Sequence, residues 1–123
     1  TYENLLNLFK KKGFICCEFF EYNNQIYINE IALRVHNTYH ISLDCCNISQ
    51  FELHLRSILD LEIPKLNFIK NGYMYNIISN LQTEEDILKK YEKMKDKYEM
   101  KIKKYNKKPL GVRKIGHVNF VEI

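Results

Sequence analysis

The sequence has no apolar run near the roughly 20 residues needed to cross a bilayer, and it does not open on a basic region followed by an apolar signal segment. The expectation is a soluble, cytoplasmic protein with no membrane partner. Only four glycines and two prolines occur, no glycine-rich loop of any kind is present, and Ala32 is the sole alanine. The missing loop, together with a start at Thr1 directly on a helix-like pattern, leads us to expect the C-terminal part of a longer protein. The shortage of alanine accompanies abundant lysine, asparagine and isoleucine, a compositional bias that carries no functional weight.

What is present is ordinary globular material. The chain has 123 residues, 46% hydrophobic and 28% charged, enough for one modest core and unlike a disordered or collagen-like chain. The formal charge of +4 arises between Thr83 and Lys108, where ten lysines stand against six acids. Those acids (Glu84, Glu85, Asp86, Glu92, Asp96 and Glu99) are interspersed with the lysines, so a solvated face is favoured over a nucleic-acid patch. The four cysteines form two adjacent pairs, Cys16-Cys17 and Cys45-Cys46, without the two-residue spacer of a zinc or redox motif. Small buried thiols are expected.

Residues 3–12 carry Leu5, Leu6 and Phe9 at helical spacing and end at Gly13. Two strand-like runs, 14–22 and 26–34, flank Asn23-Asn24-Gln25 and predict a hairpin. A polar connector with His36, Asn37, His40 and Asp44 follows. Ser49-Gln50-Phe51-Glu52 then fits a capping box opening a helix with Phe51, Leu55, Ile58 and Leu59 in period, and Pro64 forbids its continuation. Residues 73–79 read as a strand and Thr83 as the cap of a further helix. Residues 98–105 alternate, which period two makes a strand and propensity makes more helix. Residues 113–123 close the chain as a strand.

Glu18 and Glu30 stand on the two arms of the hairpin, and their relative facing depends on the loop. A three-residue loop puts the carboxylates directly opposite; a two-residue Asn-Asn loop sets Glu18 opposite Asn29 and turns Glu30 away. Facing carboxylates repel unless a cation lies between them, and hard oxygen ligands on a rigid sheet suit magnesium with nucleotide phosphates; solvated strand residues are the plain alternative. Arg34, His36, Asn37 and His40 follow within a few residues and could bind an anionic substrate or form a polar loop with no ligand.

The stretches NEIALRVHN (29–37) and ISQFELHLRSILDL (48–61) resemble the ATP-grasp carboxyaminoimidazole ribonucleotide synthetases, the ATPase component of phosphoribosylaminoimidazole carboxylase. CEFF around Glu18, MYNII (74–78) and VRKIGHVNF (112–120) are similar to further family strands, in order, so that the resemblance spans essentially the whole chain. The related formate-dependent glycinamide ribonucleotide transformylases usually lack the asparagine before the glutamate; Asn29, Asn37 and Gly116-His117 favour the carboxylase component.

The resemblance implies an α+β chain, the C-terminal portion of an ATP-grasp domain (1–62) followed by a small β-rich, barrel-sandwich-like C-terminal domain (63–123), with a strand at 98–105. It implies ATP-dependent carboxylation of aminoimidazole ribonucleotide by bicarbonate, through carboxyphosphate, in purine synthesis. Glu18, Glu30 and Asn29 would hold Mg2+, and Asn29 with Glu30 the ATP. Arg34 would act catalytically on bicarbonate and carboxyphosphate, His36 and Asn37 would line the ribonucleotide site, and Lys107 with Arg113 would hold its 5'-phosphate. The partners implied are these small molecules, the missing N-terminal half and a second copy in a homodimer. The chain by itself is not expected to turn over. A decayed binding module with the dimer interface, another purine-synthesis ligase, and a basic nucleic-acid binder are the competing readings. Leu33 and Tyr39 stand where the family commonly has proline and glycine, and Leu110-Gly111-Val112 replaces its usual Arg-Pro-Gly. Tyrosine fits a glycine position only if no positive φ is required there.

Overall fold

The computed structural model describes residues 13–81, 84–108 and 110–123. The amphipathic segment expected at 3–12 and the Thr83 cap lie outside them.

Strands β1 (Cys16–Tyr22) and β2 (Gln25–Ala32) form an antiparallel hairpin whose turn is Asn23-Asn24. Both turn residues take positive φ (50° and 58°), the left-handed pair that a tight two-residue hairpin turn demands and that asparagine tolerates. The connector is more ordered than its composition predicts. It forms a 3-10 turn at Asn37–Ile41 and a four-residue helix, α1 (Ser42–Cys45). Helix α2 (Gln50–Ile58) opens as the sequence predicts, the Ser49 side chain accepting from the Glu52 N–H. It closes earlier than Pro64. Asp60 takes a left-handed φ of 54° and the Leu61 N–H donates to the Arg56 carbonyl at 2.9 Å, the bond that seals a helix C-terminus. Leu55, Ile58 and Leu59, whose spacing announces the helix, are exposed, and the buried members are Gln50 and Leu53.

The second half is an antiparallel sheet in the order β3 (Gly72–Ile78), β5 (Lys114–Glu122), β4 (Tyr98–Lys104). The alternation at 98–105 is thus a strand. Helix α3 (Glu84–Glu92) covers one face. Ile77, Ile87, Val118 and Phe120 form its core, ringed by Tyr73, Tyr75, Tyr91, Tyr98 and Met100. The central strand β5 is buried from Gly116 to Val121, as a strand paired on both edges should be. Polar bonds fasten the connector to this sheet: Asn37 Nδ2 donates to Asn76 Oδ1 at 2.5 Å, and the buried Asn119 amide donates to the His40 carbonyl at 3.1 Å and to Asp44 Oδ2 at 2.6 Å. All four thiols are free; Cys45 and Cys46 are buried, Cys16 and Cys17 half-buried.

Candidate active site

The register of the hairpin places the two acids. From the turn, Tyr22 pairs with Gln25 and Phe19 with Ile28, a ladder that would set Glu18 against Asn29; instead the register shifts and Glu18 pairs with Glu30. Asn29 is the extra residue of a β-bulge. The short turn expected to separate the acids is present, and the bulge reunites them. A bulge also breaks the alternation of faces along its strand, so Asn29 and Glu30, although adjacent, both reach the side of Glu18.

The contacts bear this out. Asn29 Nδ2 donates to Glu18 Oε1, and the Thr38 hydroxyl to Glu18 Oε2. The His36 ring spans the two acids, Nδ1 lying 3.6 Å from Glu18 Oε2 and Nε2 3.4 Å from Glu30 Oε2. The hydrogen bond from Thr38, and next that from Asn29, hold the Glu18 carboxyl below its ordinary value, which keeps it ionised near neutrality. Among the described residues no three His, Cys, Asp or Glu side chains converge as a closed metal cage. Two carboxylates and an amide oxygen on one rigid sheet are nevertheless the open, all-oxygen donor set suited to magnesium, which keeps its remaining positions for water and phosphate. The donor set fits the ion.

The remaining sequence-predicted residues are distributed around this centre. Arg34 follows β2 and donates through Nη1 to the Val35 carbonyl at 3.0 Å. Asn37 Nδ2 donates to Asn76 Oδ1, and the Tyr105 hydroxyl lies 3.5 Å from Asn37 Oδ1. Lys107 lies 5.2 Å from the Tyr105 ring centroid and lines a cavity of about 740 Å³ together with His40, Phe51, Lys101, Lys103 and His117. Arg113 is not among the residues lining that cavity; its backbone is tied to Ser79, the Ser79 N–H donating to the Arg113 carbonyl at 2.9 Å.

The two unusual positions are accommodated. Tyr39 lies within the 3-10 turn and is not among the positive-φ residues, so the position makes no glycine-like demand in this chain. Its ring meets Phe68 edge to face, and burial, with Cys46 alongside, pushes its hydroxyl up to about 12. Leu33 is exposed in the bend after β2.

Sequence reasoning missed the roles of Thr38, Gln50 and Tyr105, and it read His40 only as a possible anion contact. His40 turns inward, stacked on His117 with centroids 4.6 Å apart and on Phe51 at 5.5 Å. Burial, then His117, lowers it from 6.5 to about 4. The unfolded chain takes up this proton near pH 6.5 and the folded chain only near 4, so between those values the unfolded state binds more protons. This contribution to stability is fully present above pH 6.5 and is lost as the pH falls toward 4. Urea midpoints of the full-length protein should therefore decline between about pH 7 and pH 4.5, and His40→Phe should flatten the decline. An equal decline in both proteins would refute it.

Comparison with known proteins identifies the domains that carry these residues. The ATP-grasp domain family matches residues 1–51, and the phosphoribosylaminoimidazole carboxylase C-terminal domain family matches residues 72–122. Phosphoribosylaminoimidazole carboxylase of Saccharomyces cerevisiae is 36% identical over 97% of this chain, which spans 22% of the yeast protein. The phosphoribosylaminoimidazole carboxylase ATPase subunit from Aquifex aeolicus superposes with a TM-score of 0.77 at 34% identity, over 97% of this chain and 38% of that one. N5-carboxyaminoimidazole synthase from Aspergillus clavatus, in complex with ADP and 5-aminoimidazole ribonucleotide, superposes with a TM-score of 0.69 at 33% identity, over 89% of this chain and 30% of that one. The chain thus spans roughly a fifth to two fifths of the relatives it matches. Two domain families in sequence, and solved relatives covering nearly all of its length, make it a member of the carboxyaminoimidazole ribonucleotide synthetase family, spanning the end of the ATP-grasp domain and the C-terminal domain that follows.

Proposed function

We propose that the full-length protein carboxylates aminoimidazole ribonucleotide with bicarbonate and ATP in purine synthesis, and that this chain supplies the floor of its active site. The opposition of Glu18 and Glu30 across the bulge, with Asn29 beside them, is the observation that carries the reading. The ADP and ribonucleotide complex of the Aspergillus clavatus relative supports it.

Glu18, Glu30 and Asn29 would hold magnesium against the ATP phosphates, with Asn29 and Glu30 also bounding the nucleotide. The ion supplies neutralisation of phosphate charge. A bicarbonate oxygen attacks the γ-phosphorus and the bond to ADP breaks, giving carboxyphosphate. The exocyclic amine of the ribonucleotide then attacks the carboxyl carbon, inorganic phosphate leaves and the amine gives up a proton. Arg34 pairs with bicarbonate and then with the carboxyphosphate dianion, in a step governed by positioning and charge. His36 and Asn37 line the imidazole, and Lys107 and Arg113 hold the 5'-phosphate. Lys107 lines the cavity and Arg113 does not, so holding one phosphate with both cations requires the ligand to reach beyond the cavity lining. We place the division between the two domains at 62/63, in the extended stretch after α2, and take the full-length protein to be a cytoplasmic homodimer that acts on small molecules.

The test is ADP release by the full-length protein with and without bicarbonate and aminoimidazole ribonucleotide. Hydrolysis stimulated by both, with carboxylated product in proportion, supports the reading. A folded protein that binds ATP and shows no stimulation refutes it.

A further inference from the structure

Gln50 occupies an unusual place. It is the first residue of α2, a position normally open to solvent, and yet it is fully buried. Burying so flexible a polar side chain costs rotamer entropy, and each unsatisfied amide group would add to that cost. Here every group is used. Oε1 accepts from the His36 N–H at 2.9 Å, while Nε2 donates to the His36 carbonyl at 2.9 Å and meets His40 Nδ1 at 2.9 Å. The Gln50 N–H donates to Ser42 Oγ, also at 2.9 Å.

The orientation of this amide follows from the backbone. Turned the other way, its NH2 would face the His36 N–H and its oxygen the His36 carbonyl, two repulsive contacts in place of two bonds. With the NH2 fixed, His40 Nδ1 can only accept, and the ring proton must sit on Nε2. The depressed basicity of His40 agrees with a neutral ring. By bonding both the N–H and the C=O of His36, the carboxamide acts as a one-residue ladder partner and holds that residue extended, at φ −125° and ψ 149°. The backbone so fixed aims the ring between Glu18 and Glu30.

We infer that Gln50 is a positioning residue for the acid pair's site: its carboxamide fixes His36 from both sides and holds His40 as the Nε2–H tautomer. Its kinetic consequence rests on the function proposed above; its structural content does not. Nothing in the geometry puts Gln50 itself against a substrate.

The test uses the full-length protein with 15N-labelled histidine, and the variant Gln50→Glu. In the wild type the long-range nitrogen correlations of His40 should show the proton on Nε2. A proton on Nδ1 there overturns the inference even if the variant fails to fold. Glutamate is nearly isosteric but has no N–H to donate, so in the folded variant His40 should carry a proton on Nδ1; an unchanged tautomer overturns the inference. In an active enzyme the same variant should raise the KM for the ribonucleotide on the order of tenfold while the KM for ATP stays within about twofold, as loss of a supporting hydrogen bond behind a ligand-facing side chain does. Equal movement of both KM values, or of neither, also overturns it. A wild type without stimulated hydrolysis refutes the carboxylation and leaves the imidazole spectra to decide the place of Gln50.

Discussion

Glu30→Gln in the full-length protein is expected to lower substrate-stimulated ATP hydrolysis by on the order of a hundredfold or more, the scale of losing one preorganised charge at a phosphoryl-transfer centre. The amide keeps the size and one oxygen of the carboxylate but removes the charge that would balance the ion. It should also change the 3.4 Å contact with His36 Nε2 while leaving the hairpin intact, because Glu30 is half exposed and its backbone is held by the ladder. The loss should therefore appear without a change in melting temperature, and the magnesium concentration for half-maximal rate should rise. Initial rates of ADP release across a magnesium series measure both quantities. A variant within about threefold of the wild type at every magnesium concentration would show that Glu30 is not a ligand.

Gly72→Ala is expected to have the largest effect on stability. A Cβ at Gly72 would lie 2.4 Å from the Phe120 carbonyl oxygen and 2.8 Å from Cys45 Sγ. Neither atom has room to retreat: the first belongs to the central strand, and the second, at the end of α1, is fully buried. The overpacking should cost about 3 kcal/mol and lower the melting temperature by on the order of 10 °C. Gly13→Ala is the control, since nothing lies within 4 Å of the Cβ it would add. Differential scanning calorimetry of the two variants decides the matter, and equal melting temperatures would contradict the close approach of β3, β5 and α1.

How far the sequence could be read depends on how local each signal is. The Ser49 cap is a four-residue pattern with one physical solution, and it stands where the sequence puts it. The alternation from Tyr98 to Tyr105 was ambiguous by itself because lysine and glutamate favour helix; pairing with β5 along its whole length makes it a strand. The periodic residues of α2 run out at Leu59, where the helix is capped, but the left-handed Asp60 that closes it looks in sequence like any surface acid, and Pro64 only bars a later continuation. The connector read as loop because its order comes from distant partners, Asn76 and Asn119, which no window of neighbouring residues contains.

The acid pair shows the same limit. Counting back from the turn gave two answers, and the structure combines them, the short turn of one with the opposed acids of the other. Loop length alone does not determine register when a bulge can absorb a residue. Gln50 escaped notice because a glutamine at the start of a helix is ordinary in sequence. Only its burial and its two-sided grip on His36 distinguish it.

The bulge at Asn29 also bears on which parts of the site a mutation can change independently. Deleting Asn29 would rejoin Ile28 to Glu30 in an unbroken ladder, with Glu18 and Glu30 still partners, and would remove only the amide. Substituting it would keep the bend and change the third donor. The acids and the amide are therefore separable parts: a change at position 29 can alter what sits beside the carboxylates without parting the carboxylates from each other.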